Sequence, residues 1–279
     1  MKLSAYFRLM RFDKPVGILL LWLPTAWALW LANSGAPSLM LILYFSLGTI
    51  FMRAAGCVVN DIADRHVDKH VNRTRMRPLT TGEVSLPEAL LLLIGLLLAA
   101  LIIVLQLPVV CFYYAWAALF ITVLYPFCKR FFQAPQLVLG LAFSMGIPMA
   151  YAASGVMISS SMVLLFILNF AWIVSYDTMY AMVDRNDDLR IGVKSTAILF
   201  GQYDRWIILI LQLFFHGLWL IISYNKGYSS AFYICWTVAS TILAYQQWLL
   251  YKPDTASYFK AFSISVVYGL VMWIALMVG

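Results

Sequence analysis

Residues 39–68 read LMLILYFSLGTIFMRAAGCVVNDIADRHVD. An apolar run over 39–59 leads into a cluster of acids. A helix needs about 20 mostly apolar residues to cross a bilayer, so the stretch reads as a transmembrane helix with carboxylates at one end. Two features stand out. Arg53 is a charge inside the apolar run, where charges are expensive and usually functional. Asn60, Asp64 and Asp68 follow at i, i+4 and i+8, one ridge on a continued helix, with Asp61 beside it. Carboxylates sharing a ridge repel each other unless a cation sits between them.

The rest of the chain has the same character. Of its 279 residues, 63% are hydrophobic and 11% charged, against about half and about a quarter in soluble domains. Further stretches of spanning character cover 16–33, 86–106, 109–127, 136–153, 162–180, 206–224, 229–250 and 260–278. The expected fold is all-α and polytopic: one integral-membrane domain over 1–279 with nine transmembrane helices. The leader MKLSAYFRLMRFDKP has the charge of a signal peptide, but the length of the run after it and the many later spans mark a retained first helix. Cys57, Cys111, Cys128 and Cys235 form no CxxC pair and sit in or beside apolar stretches, as small buried hydrophobes do.

Charge sets the expected orientation. Lys2, Arg8, Arg11 and Lys14, then Arg65, Lys69, Arg73, Arg75 and Arg77, then Lys129 and Arg130, then Arg185, Arg190, Lys194 and Arg205, then Lys252 and Lys260 all fall on one side of alternating spans. The other side holds only Lys226. The positive-inside rule places the amino terminus in the cytoplasm and the carboxyl terminus in the periplasm. A net charge of +7 suits anionic membrane lipid and an anionic substrate. Nucleic acid is not an expected partner, because the basic residues flank apolar runs and form no basic domain.

The sixth stretch ends in YDTMYAMVDRNDD, residues 176–188. Asp177, Asp184 and Asp188, at i, i+7 and i+11, share a helix face, and Asp187 points away from it toward solvent. Asp64, Arg65 and Asp68 thus recur 120 residues later as Asp184, Arg185 and Asp188. This weak internal repeat would bring two acidic helix ends together across a cavity. Hard oxygen ligands suit Mg²⁺, which binds through one or two carboxylates plus substrate phosphates. The donors would be Asn60, Asp64, Asp68, Asp184 and Asp188. Arg73, Arg75, Arg77 and Lys194 follow the clusters and could neutralise phosphate oxygens, or serve only as positive-inside loop charge. His66 and His70 have i, i+4 spacing but no HExxH context, and read as solvated.

NDxxDxxxD at 60–68, RTxxRPL at 73–79 and DxxYAxxDxxxD at 177–188 resemble the intramembrane aromatic prenyltransferases. RLMRFDKPVG at 8–17, MRAAGCVVND at 52–61, YPFCKR at 125–130 and KSTAILFGQYD at 194–204 resemble their bacterial 4-hydroxybenzoate polyprenyltransferase branch. The resemblance covers essentially the whole chain. It implies helices around a central cavity that opens laterally to lipid, in the cell inner membrane. It implies Mg²⁺, a polyprenyl diphosphate donor, 4-hydroxybenzoate as acceptor, and a step in the ubiquinone pathway.

On that basis Asp64, Asp68, Asp184 and Asp188 are the expected catalytic residues. Lys129, Arg130 and Lys194 would assist the departing diphosphate. Asn60, Asp61 and Asp177 join the substrate-binding set. Tyr125, Tyr176 and Tyr180 are candidates for cation–π contact with the allylic cation. Arg53, two turns before Asn60, could hold the 4-hydroxybenzoate carboxylate, the diphosphate, or a structural pair with Asp177. Attack through the carbon ortho to the phenol hydroxyl leaves a ring proton, for which Asp177 is a candidate acceptor. A transporter would place its charges near the midplane on broken helices, and a membrane alcohol phosphotransferase would need DGxxAR. A sister prenyltransferase with another acceptor is the nearer rival.

Overall fold

The computed structural model describes residues 2–71 and 73–279. Every regular element among them is helical: α1 (Lys2–Leu9), α2 (Val16–Ala32), α3 (Leu39–Asp64), α4 (Pro78–Thr81), α5 (Leu86–Val104), α6 (Val109–Phe131), α7 (Pro135–Ser144), α8 (Gly146–Ala153), α9 (Ser160–Ile191), α10 (Thr196–Phe200), α11 (Asp204–Lys226), α12 (Ser230–Leu250) and α13 (Thr255–Val278). Each apolar stretch of the sequence falls in one helix, except that 136–153 is divided between α7 and α8 at Met145.

Seven helical units are long and apolar enough to cross a membrane: α3, α5, α6, α7 with α8, α9, α10 with α11, and α13. The chain is thus a multi-pass membrane protein. Helix α2 is shorter, at 17 residues. Helix α12 is long enough, but its Ser, Thr, Tyr and Gln residues dilute its apolar character and it is not among the seven.

Helices α3 and α9 outrun their expected spans at their acidic ends. At 1.5 Å per residue, the 32 residues of α9 measure about 48 Å, against a hydrocarbon layer of about 30 Å. Its last turns, with Asp184 and Asp188, therefore extend beyond the apolar layer. Gly192, at φ 74, stops the helix in the left-handed conformation that glycine adopts freely. Helix α3 continues to Asp64 and stops there.

This corrects the expected ridge. Asp68 is not a further turn of α3 but opens a 3-10 turn, Asp68–His70. A continued helix would stack Asp68 over Asp64, two like charges one turn apart. Instead the chain turns back, the Thr74 hydroxyl donates to the Asp68 carbonyl at 3.1 Å, and Arg77 takes the Asp68 carboxylate.

Between lipid-bathed helices, close packing replaces the hydrophobic drive of water-soluble cores. The buried Trp27, Trp172 and Trp219 join α2, α9 and α11, with Trp27 edge-on to Trp219 at 5.2 Å. Gly269 of α13 lets Leu23 and Trp172 approach its backbone. Polar bonds fix the carboxyl-terminal helices: His216 lies 3.1 Å from the Tyr268 hydroxyl and 2.8 Å from that of Ser240. The frame leaves a space bounded by α2, α3, α5, α6, α7 and α8.

Candidate active site

The two acidic helix ends meet. Arg73 donates to both oxygens of Asp184 at 2.9 and 2.5 Å, tying the segment after α3 to the end of α9. A polar pocket of about 140 Å³ lies between them. Of the expected site residues, Asn60, Asp64, Asp68, Tyr125, Lys129, Arg130, Asp177, Tyr180, Asp184, Asp188 and Lys194 all line it. Three elements supply most of them: the end of α3 with its following turn, the last turns of α6, and the second half of α9.

Four of the cations near the pocket, Arg73, Arg77, Lys129 and Arg130, already face acceptors. Lys129 Nζ lies 3.1 Å from Asn60 Oδ1 and 3.4 Å from Asp64 Oδ2. Arg77 donates to Asp68 Oδ2 at 2.7 Å. Arg130 donates to the Ala63 carbonyl at 3.0 Å, at the pocket rim. Lys194 is exposed, and its backbone N–H bonds to the Lys129 carbonyl at 2.8 Å, which closes α10's approach onto α6. Aromatic faces back the cations: Lys129 sits over Tyr125 at 4.9 Å and Arg73 over Tyr180 at 4.8 Å.

Burial decides the electrostatics of the turn. Loss of solvent pushes the Asp68 carboxyl above the usual carboxylate range, and Arg77 only partly offsets this. For Arg73, burial works against the charge, but Tyr180 and the bonds to Asp184 outweigh it, so the guanidinium is held above its ordinary value.

Beside the polar pocket lies a larger apolar cavity of about 410 Å³. The two are one turn apart along α3, from Gly56 to Asn60, and along α6, from Thr122 to Tyr125. Arg53 lines the apolar cavity and not the polar pocket. Its guanidinium lies over the Phe143 ring at 5.8 Å, and its buried Nε has no hydrogen-bond partner. A buried guanidinium N–H without an acceptor is costly, so this atom awaits one.

Two expected residues sit elsewhere. Asp61 lines neither cavity; it is buried under Arg11 and Arg77. Tyr176 faces the aromatic core, edge-on to Trp172 at 5.1 Å, with its hydroxyl unpartnered. His66 and His70 are exposed. The structure also adds a residue that the spacing did not single out. Gly17 lies against Arg53, so a Cβ there would come within 2.8 Å of the guanidinium carbon. The only sequence signal was a glycine after Pro15 at the start of an apolar run.

Among the described residues, no three His, Cys, Asp or Glu side chains converge as a preformed metal cage. The oxygen donors nevertheless suit Mg²⁺: Asn60 and the five carboxylates of Asp64, Asp68, Asp177, Asp184 and Asp188 line one pocket, with Lys and Arg able to transfer to phosphate. It fits an ion that is shared with a phosphate-bearing substrate, not one held by protein alone.

Known proteins resemble this chain along its length. The profile described as the UbiA prenyltransferase family matches residues 21–276. The chain is 61% identical over 272 residues to 4-hydroxybenzoate octaprenyltransferase of Legionella pneumophila (strain Lens), covering 98% of this chain and 96% of that one. It is 49% identical over 278 residues to the protein of the same name from Edwardsiella ictaluri (strain 93-146), covering 100% and 97%. The apo structure of a UbiA homolog from Aeropyrum pernix K1 superposes with a TM-score of 0.80 at 20% identity, covering 93% and 97% of the two chains. A UbiA homolog from Archaeoglobus fulgidus bound to DMAPP and Mg²⁺ superposes at 0.72, also at 20% identity, covering 96% and 98%. At such identity these structures speak to the fold.

Proposed function

Because this chain belongs to the UbiA prenyltransferase family, we propose that it transfers a polyprenyl group from polyprenyl diphosphate to 4-hydroxybenzoate, at the ring carbon ortho to the hydroxyl, releasing diphosphate and the proton displaced from that carbon. One observation carries the reading. A polar pocket of carboxylates and cations abuts an apolar cavity whose wall holds an arginine with a buried, unpartnered N–H. Such a pairing suits a substrate with a charged head and a long apolar tail, next to a second substrate that is an aromatic acid.

Each part of the site has a role in that reaction. Asn60, Asp64, Asp68, Asp184 and Asp188 would hold Mg²⁺, which supplies charge neutralisation for a departing diphosphate. Lys129, Arg130 and Arg73 donate to phosphate oxygens once these replace their present acceptors, and the exposed Lys194 adds a further donor. Tyr125 and Tyr180 turn aromatic faces toward the allylic carbon as it becomes cationic. The apolar cavity takes the prenyl chain and keeps water from that cation. Arg53 holds the 4-hydroxybenzoate carboxylate, which orients the ring for attack through carbon.

In the same proposal residues 1–279 form one domain in the cell inner membrane. Helices α2 and α12 also cross, making nine crossings with a cytoplasmic amino terminus and a periplasmic carboxyl terminus. The charge asymmetry along the chain supports this, with Lys226 alone on one side. Impermeant thiol labelling of Ser34→Cys from outside intact cells, with Lys194→Cys protected, is the expected pattern; the reverse pattern would invert the topology.

The reaction is tested with purified protein, radiolabelled 4-hydroxybenzoate, geranyl diphosphate and Mg²⁺. A prenylated acid should form, and should vanish with EDTA and in Asp64→Ala. Diphosphate release without prenylated acid would refute the acceptor. Undiminished product in excess EDTA would refute the metal requirement.

A further inference from the structure

Asp61 is a buried carboxylate next to a pocket that it does not line. Its side chain is 1% exposed, and it carries two arginines from distant parts of the chain. Arg11 donates to both of its oxygens, at 2.8 and 2.9 Å. Arg77 approaches from the other side at 3.0 Å. Both arginines are themselves anchored. Arg11 Nη1 donates to the Arg8 carbonyl at 2.7 Å, so the guanidinium also caps the end of α1, and its backbone takes the uncommon φ of 61 to do so. Arg77 extends the same Nη1 to Asp68 Oδ2 at 2.7 Å. A continuous chain of ion pairs therefore runs from Arg11, just past α1, through Asp61 and Arg77 to Asp68 in the pocket wall.

The arrangement divides one arginine between two carboxylates of different kinds. Asp61 is sealed and cannot meet a ligand, whereas Asp68 lines the pocket. An Arg77 without Asp61 would belong to Asp68 alone, closing a two-charge pair that a cation would have to break. With Asp61 in place, Arg77 keeps a partner when Asp68 turns to a cation. Arg11 supplies the second positive charge that fixes the Asp61 carboxylate in its buried position.

We infer that Arg11 and Asp61 are a positioning pair that anchors Arg77 and thereby leaves Asp68 available to the cation accompanying a bound diphosphate. The amino-terminal helix α1 then tunes substrate affinity without touching substrate. This inference rests on the proposed diphosphate reading of the pocket and adds residues to it.

The test uses the full-length protein in detergent and measures binding, not turnover. Calorimetry gives the Kd of geranyl S-thiolodiphosphate in Mg²⁺, and separately that of 4-hydroxybenzoate. Wild-type binding of the thiolodiphosphate that needs Mg²⁺ supports the reading beneath this inference, and its absence sinks that reading. Given wild-type binding, Asp61→Asn should weaken the thiolodiphosphate about tenfold, as loss of a residue that orients a metal ligand does. Arg11→Gln should weaken it in the same sense, and the 4-hydroxybenzoate Kd should hold in both. In an Arg77→Gln background, Arg11→Gln should add nothing, because its effect passes through Arg77. Should Asp61→Asn fail to fold, Arg11→Gln decides the matter on the same measurements. An unchanged thiolodiphosphate Kd in Arg11→Gln, an equal loss for both ligands, or an undiminished Arg11→Gln effect in the Arg77→Gln background would each overturn the inference.

Discussion

Asp184 and Asp188 ride on an unbroken helix from Ser160 to Ile191, whereas their counterparts 120 residues earlier, Asp64 and Asp68, are parted by the end of α3 at Asp64. On α9 the backbone sets the carboxylate spacing, and each lies one turn from the next. After α3 arginines set it: Arg77 holds Asp68, and Arg73 crosses to Asp184. One half of the pocket is a rigid ruler and the other a side-chain-stapled segment. Mg²⁺ shared with substrate phosphates demands near-ideal octahedral geometry, so on the proposed reading the stapled half has to be placed as closely as the helical one.

The comparison can be pressed at several points. The largest effect belongs to the rigid face. Asp184→Asn should lower kcat about a thousandfold with the helix content by circular dichroism unchanged. A loss of only a few-fold would move the catalytic weight to the stapled half. Next comes the apolar cavity beside them. Arg53→Ala should raise the 4-hydroxybenzoate KM about thirtyfold, the scale of one charge-assisted bond, with far less change in the prenyl diphosphate KM. Equal shifts would place Arg53 on the diphosphate instead.

A gentler probe of the same arginine is Gly17→Ala. The added methyl meets the guanidinium, the flexible end of a side chain, so Arg53 yields and the fold survives. The acid's KM should rise about fivefold, as a weakened but not lost bond would give; an unchanged KM would mean that Arg53 need not sit where it does. The smallest effect lies just past the stapled segment. Ser85 and Glu88 form a capping box that starts α5. Ser85→Ala should cost about 1 kcal/mol of stability and leave both KM values alone. A changed diphosphate KM would show that the staples depend on α5 as well as on arginine.

Much of this was legible in the residues. Asp177, Asp184 and Asp188 could be placed on one face because α9 keeps its period through them. Arg53 was legible as a charge where charges are costly, and the polar pocket gathers Asn60, Tyr125, Lys129 and Tyr180 as their motifs suggested. What escaped was set by contacts that spacing does not encode. Asp68 looked like another turn of α3 because nothing local stops that helix; an ion pair nine residues on turns the chain. Asp61 stands next to Asn60 and was grouped with it, yet its partner Arg11 lies 50 residues away. Gly17 matters only through a neighbour on another helix. Tyr176 joins the aromatic core because it sits one turn from Trp172 on α9 and that face meets Phe262 of α13.

The central claim is that two acidic ends form one site. It is tested most directly by a double-mutant cycle on the rate of prenyl transfer, with Asp64→Glu and Asp184→Glu made singly and together. Residues acting as a unit are strongly non-additive. The double variant should be about as slow as the slower single. A double variant slowed by the full product of the two single effects would show two independent sites and contradict the account.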